Sequence, residues 1–279
     1  MRKIKIVSDS SSDILSLQGF DYACAPMKIV TDQREFVDDA SLNVDEMADF
    51  LYNYKGKSKS SCPNVSDWLE AFGDADDIFC ITITSGLSGS YNSACSAKDI
   101  YEAEHEGRRV FVLDSLSAGP EMALVIEKMQ ARIKGGLTFE DTCAALQEYI
   151  GHTGLLFMLK SLKNFANNGR VSPAVAKIAG IMGLCIVGKA SDEGTLEPLH
   201  KCRGEARSLE AIVGEMESAG FRGGRVRIAN CQNPEGAERL KAMILQKYPQ
   251  ANVTVHTLRG LCSFYAEVGG VLVGYEKEL

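Results

Sequence analysis

The sequence predicts a two-domain α/β protein: an N-terminal parallel sheet flanked by helices, then a smaller α+β layer domain. Three observations carry this expectation. Apolar strand-like runs alternate with helical periodicity through the first half of the chain, the rhythm of a parallel sheet with helices on its faces. The second half instead has a strand and an apolar helix, then a hairpin signal, and continues as helix, strand, helix, strand. The chain also has 279 residues, whereas one domain commonly holds about 100–200. A boundary near Gly151–Gly154 divides it into 1–152 and 153–279.

In order, Ile4–Val7 is a short apolar strand running into the polar loop Ser8 to Asp13. Met27–Thr31 and Glu35–Val37 flank Asp32-Gln33 as a hairpin. Asn43 caps a helix that places Val44, Met47, Phe50, Leu51 and Tyr54 on one face. Lys55 to Ser61 reads as a polar connector, and a short helix with Trp68, Leu69 and Phe72 inward follows Pro63. The strand Ile78–Thr84 ends in Ser85-Gly86-Leu87-Ser88-Gly89, and Tyr91–Glu104 is helical. Val110–Leu113 is a strand ending at Asp114-Ser115, before helices over Glu121–Lys134 and Phe139–Ile150, the second capped by Thr138.

Beyond the boundary, Leu155–Leu159 is a strand and Pro173–Gly183 an apolar helix. Ile186–Lys189 and Leu196–Cys202 flank Asp192-Glu193-Gly194 as a second hairpin. Leu209–Ser218 and Ala237–Lys247 are helices, and Val226–Ala229 and Val253–Thr257 strands.

Composition narrows the function. A formal charge of −7 argues against a broad nucleic-acid surface, whose affinity would come from clustered Lys and Arg. Nine scattered cysteines, odd in number and without a C-x-x-C pair, suggest reduced thiols and not disulfides or zinc. The N-terminus enters a strand at once, without a signal-peptide apolar region. The most apolar stretch, Ala174 to Val187, is broken by Lys177 and several glycines. No integral membrane segment and a cytoplasmic location are therefore expected.

Three hydroxyl-rich loops fall at strand carboxyl ends, where open α/β sheets bind ligands: Ser8–Ser12, Ser85–Ser90 and Asp114–Ser117. Hydroxyls beside backbone N–H groups can hold an anion, although each serine alone could simply cap a helix. Gly86-Leu87-Ser88-Gly89 lacks the spacing of a nucleophile elbow. His105, His152, His200 and His256 stand apart from any motif that would supply a base. A hydrolase using Ser85 or Ser88 is thus a minor alternative, and no catalytic residue is assigned. Asp9, Asp13 and Asp114 lack a histidine at ligand spacing, so no metal is expected. In Leu162 to Ser172, Gly169 permits a left-handed helix end and Arg170 follows it. Arg170 could fork onto a carboxylate or phosphate, or make an interdomain salt bridge.

Taken together, Ile6 to Asp13, Ser60-Ser61-Cys62-Pro63, Thr84 to Tyr91, Asp114-Ser115 and Leu162 to Ser172 resemble, over essentially the whole chain, the DegV family. These are bacterial fatty-acid-binding proteins that partner a fatty acid kinase. The resemblance implies a long-chain fatty acid in a buried tunnel between the domains, with no other cofactor. It implies a carboxylate held by Ser60, with Ser61 adjacent, and by Ser85. A kinase partner would phosphorylate that carboxylate to an acyl-phosphate, with Arg170 supporting the step or contacting the partner; the binding protein itself would not be an enzyme. Ala174, Val175, Ile178, Ile181 and Met182 are candidate tunnel walls.

The sequence departs from the family pattern at four positions. Ser60 replaces a threonine and Cys62 a glutamine. Tyr265 stands at a histidine position, where it still offers an O–H to the carboxylate but no cation near neutral pH. Glu267 stands where glycine is expected, adding a negative charge unless it turns outward or pairs with a cation such as Arg259. A kinase-independent lipid sensor or carrier for another amphipathic ligand is the alternative these changes raise.

Overall fold

A computed structural model describes residues 2–172 and 183–278. The expected apolar helix, with Ala174, Val175, Ile178, Ile181 and Met182, falls on 173–182, outside the described residues.

Three sheets organise the chain. The first is parallel throughout, in the order β2-β1-β6-β7: β1 (Ile4–Asp9), β2 (Asp21–Ala25), β6 (Asp77–Thr82) and β7 (Arg109–Asp114). All six residues of β6 are buried, as a central strand covered on both faces requires. A small antiparallel sheet follows the order β4-β3-β5: β3 (Lys28–Val30), β4 (Glu35–Val37) and β5 (Lys59–Ser61).

The largest sheet lies in the second half, in the order β10-β9-β8-β13-β11-β12. It comprises β8 (Thr153–Leu159), β9 (Leu184–Ala190), β10 (Leu196–Arg203), β11 (Arg225–Asn230), β12 (Asn252–Thr257) and β13 (Val271–Glu276). Only the β11–β12 pair is parallel.

Local signals explain most helix starts. Asn43 accepts the Glu46 N–H to begin α1 (Val44–Asn53). A reciprocal capping box of Asn64 and Asp67 begins α2 (Val65–Phe72). Then come α3 (Ser90–Glu104) and α4 (Pro120–Lys134), whose Pro120 occupies a first-turn position that needs no N–H donor. Thr138 caps α5 (Phe139–Tyr149). The second half holds α6 (Lys163–Asn167), α7 (Glu205–Ser218), α8 (Pro234–Lys247) and α9 (Gly260–Ala266).

Helix α4 ties the halves together. Its Met122, Val125, Ile126 and Met129 join the core under the parallel sheet, while its length also packs on β8, β11 and β13. Strand β8 is apolar on both faces for a related reason. Leu156 and Met158 enter the core beneath α7 and α8, while Leu155, Phe157 and Leu159 face the opposite way, into a core shared with α9.

Four elements depart from the sequence expectation. β5 was expected as connector, because Lys59-Ser60-Ser61 carries no apolar residue; it pairs with β3, matching Ile29 to Ser60. β2, Asp-Tyr-Ala-Cys-Ala, is poor in strand-favouring residues and owes its state to pairing along β1. Helix α9 has no N-terminal capping side chain of its own. The buried Asp38 caps it from afar, accepting from Gly260 N at 3.0 Å and Leu261 N at 2.9 Å. Finally, β13 lies mid-sheet between β8 and β11.

Candidate functional site

Between the parallel sheet and the β8 face lies a cavity of about 850 Å³, counted to its open mouth. Its wall is mostly apolar: Leu155, Phe157 and Leu159 of β8, Leu272 of β13, and Leu261 and Ala266 of α9. The β9–β10 hairpin closes another side. Its tip lies so near the Ser85–Gly89 loop that a Cβ on Gly86 would stand 2.7 Å from the Glu193 carbonyl oxygen, so only glycine fits.

One part of the wall is polar. Ser60 Oγ and Tyr265 OH share a hydrogen bond of 2.7 Å across 205 residues of sequence. The Tyr265 ring packs on Phe165, with centroids 4.6 Å apart, and the Arg170 guanidinium stands 5.4 Å from that ring, in cation–π range. Arg170 Nε donates to the Leu87 carbonyl at 2.9 Å and Nη1 to the Asn168 carbonyl at 3.2 Å. Among the described residues no carboxylate lies in ion-pair range of Arg170, so of its two readings the interdomain salt bridge is not met, and it donates to backbone carbonyls. Burial raises the Tyr265 phenol above its ordinary value, keeping it a neutral donor.

The expected site residues separate here. Ser60, Arg170 and Tyr265 line the cavity together. Ser61 does not: strand alternation in β5 turns it outward, where it is exposed and donates to the Cys62 carbonyl at 3.3 Å. Ser85 is also exposed and absent from the wall, its backbone N–H donating to the Asp114 carboxylate at 3.1 Å. From that loop the cavity receives Thr84, Leu87 and Ser88 instead. Nothing in the run Thr84-Ser85-Gly86-Leu87-Ser88 tells in sequence which hydroxyls turn inward.

Glu267 follows neither course open to it. It is half-buried, and its Oε1 accepts from Ser161 Oγ at 2.9 Å and Asn164 N at 3.2 Å, while Arg259 is engaged with Asp38 and the Asp39 carbonyl. Burial raises its carboxyl above the ordinary range, and it does not line the cavity. The charge feared at the anion site is thus spent on capping α6.

Of the other two hydroxyl loops, Asp114–Ser117 brings Ser117 to the cavity wall, whereas Ser8–Ser12 is closed on itself. Ser8, Ser10, Ser11 and Ser12 are at most 1% exposed and bond to one another, to Tyr22, to Asp9 and to the Met27 N–H. None of the four histidines lines the cavity, which places no imidazole beside Ser88. Among the described residues, no three His, Cys, Asp or Glu side chains gather as a metal site, and no helix is long and apolar enough to cross a membrane.

Comparison with known proteins agrees with this geometry. A family model described as an uncharacterised DegV-family protein matches residues 3–278. A DegV domain-containing protein of Streptococcus pneumoniae is 42% identical over 276 residues, 98% of each chain. Among solved structures, a DegV family protein from Eubacterium eligens loaded with heptadecanoic acid is 42% identical, with a TM-score of 0.97 over 99% of this chain and 100% of that one. The Streptococcus pneumoniae Fatty Acid Kinase (Fak) B3 protein loaded with linoleic acid is 41% identical, again with a TM-score of 0.97 and the same coverage. With the match running from the first strand to the last, this chain belongs to the DegV family.

Proposed function

We propose that this protein binds a long-chain fatty acid and presents its carboxylate to a fatty acid kinase for acyl-phosphate formation, contributing no catalysis of its own. The observation that carries the reading is a mostly apolar cavity wall that also bears a hydrogen-bonding cluster of Ser60, Tyr265 and Arg170. Reading the chain as domains 1–152 and 153–279 puts that cavity between them.

An acyl chain gains about 0.8 kcal/mol for each methylene buried, so the tail supplies most of the affinity. A carboxylate brought in with it is costly unless donors meet it. Two hydroxyls and a guanidinium suit that need, because charge-assisted hydrogen bonds are the strong ones. A guanidinium can compensate the negative charge that develops during phosphoryl transfer, which suits Arg170 to that step. The two structures loaded with heptadecanoic and linoleic acid support the choice of ligand class.

Native mass spectrometry of the purified protein, with organic extraction of what it carries, tests the first half. A stoichiometric long-chain acid is expected, and a protein that stays empty after incubation with such acids overturns the reading. Hydroxylamine trapping of acyl-phosphate, with ATP and an added bacterial fatty acid kinase, tests the second. No trapped product from fully loaded protein would leave a carrier without a kinase.

A further inference from the structure

The segment from Ser161 to Arg170 crosses the polar part of the cavity as a strap tied at three places. At its start, Glu267 accepts from Ser161 Oγ and Asn164 N, and Asn164 Nδ2 donates to the Phe264 carbonyl at 2.7 Å. Near its end, the Asn168 amide bonds the backbone of β5 on both sides of Lys59: Oδ1 accepts from Ser60 N at 3.2 Å and Nδ2 donates to the Ser58 carbonyl at 3.2 Å. Arg170 makes the third tie, to the Leu87 carbonyl. The strap carries Phe165 and Arg170 into the cavity wall.

Two features single out the first two ties. Glu267 sits at φ 54°, ψ 171°, a backbone conformation in which glycine is at ease and a larger residue is strained. Its carboxylate is partly buried, and among the described residues no cation lies within ion-pair distance of it. A strained backbone is costly, and what its side chain holds is the strap. Asn168 reaches across 108 residues of sequence to pin the backbone of the very residue whose hydroxyl meets Tyr265. Neither Glu267 nor Asn168 lines the cavity.

We propose that Glu267 and Asn168 are positioning residues: they hold the strap in register, so that Ser60, Tyr265 and Arg170 converge, and so set how strongly the site prefers a carboxylate over an uncharged head group on the same chain. The inference rests on the fatty-acid reading above. Its physical basis is a difference in directionality. Hydrogen bonds to a carboxylate weaken steeply when donors move off line, whereas burial of an acyl chain is non-directional. Loosening the strap therefore costs the acid more than the corresponding alcohol.

The test compares oleic acid with oleyl alcohol on the delipidated full chain, in the wild type, E267G, E267Q and N168A, with melting curves alongside. Glycine relieves the strained backbone at 267, so E267G is chosen to lose the cap without a matching loss of stability. The acid-over-alcohol preference is expected to fall about tenfold in E267G and N168A, the worth of one or two hydrogen bonds. E267Q, whose amide oxygen accepts the same two bonds, should restore it. A wild-type preference in E267G, or equal weakening of both lipids together with early melting, overturns the proposal. A wild type that binds neither lipid would sink the fatty-acid reading, and amide exchange of the ligand-free protein then decides the strap separately. Faster exchange across 161–170 in E267G than in wild type upholds the positioning role, and unchanged exchange ends it.

Discussion

The Ser8–Ser12 turn and the Ser60–Tyr265–Arg170 cluster both offer hydroxyl groups, yet the fold uses them in opposite ways. In the first, every serine is buried and bonded within the fold, and Asp9 accepts from Ser11 Oγ, from Ile83 N at 2.9 Å and from Ser90 Oγ at 2.6 Å. In the second, hydroxyls and a guanidinium from three distant segments face a space lined by leucine and phenylalanine. The first has spent its hydrogen-bonding capacity on the fold, and the second keeps some for a ligand. Substitutions should therefore affect stability in one region and binding in the other.

The largest effect is expected from Asp9→Ala, which strands buried donors on Ser11, Ile83 and Ser90 together. At about 1–3 kcal/mol for each buried group left unpaired, partly relieved by relaxation, urea denaturation should show a loss of about 3 kcal/mol. Fatty-acid affinity of the protein that remains folded should hold. A wild-type denaturation midpoint in Asp9→Ala would erase the contrast.

Next comes the double variant Ser60→Ala with Tyr265→Phe. Removing two donors to a carboxylate should weaken fatty-acid binding about 30-fold, near 2 kcal/mol, by titration calorimetry. The denaturation midpoint should move little, because the two hydroxyls partner chiefly one another. Ser88→Ala should weaken binding several-fold by the same logic, with one donor lost.

The closed region should also reveal itself through pH. Asp13, beside it, has its carboxyl pushed up to about 8 by burial, and burial raises Asp9, Asp38 and Glu121 as well. A carboxyl whose folded value exceeds its unfolded value holds a proton in the native state that the unfolded chain has released. Stability is then greatest below the unfolded value and falls as pH rises from about 4 towards 8. Asp13→Asn should flatten the upper part of that decline, read as denaturation midpoints across the range. A slope identical to wild type would assign it to the other carboxyls.

The smallest effect belongs to Ser85→Ala. Because Ser85 is exposed and meets Asp114 through its backbone, affinity for a fatty acid should stay within about twofold of wild type, below the worth of one hydrogen bond. A larger loss by calorimetry would place this serine, and not Ser88, against the carboxylate.

Much of this was legible beforehand where the signal is local. Asn43, Thr138 and the hairpin at Asp192-Glu193-Gly194 announce their elements through side chains that bond their own backbone or a glycine that turns it, here at φ 71°. The β5 strand and α9 were not legible, because β3 and Asp38, both distant in sequence, supply what they lack. The same divide runs through the site. Sequence brought Ser60, Tyr265 and Arg170 forward by motif, but nothing in Ser60-Ser61 or in Ser85 to Ser88 says which hydroxyl faces in.

By itself, then, the order of residues determined the strand and helix rhythm and the family, because periodicity, caps and motif spacing are written within short windows. Only the tertiary structure decided that Ser61 and Ser85 face out, that Thr84 and Ser88 face in, and that Glu267 caps a helix instead of opposing an anion. Those outcomes depend on strand pairing and on contacts across a hundred or more residues, which no local pattern specifies.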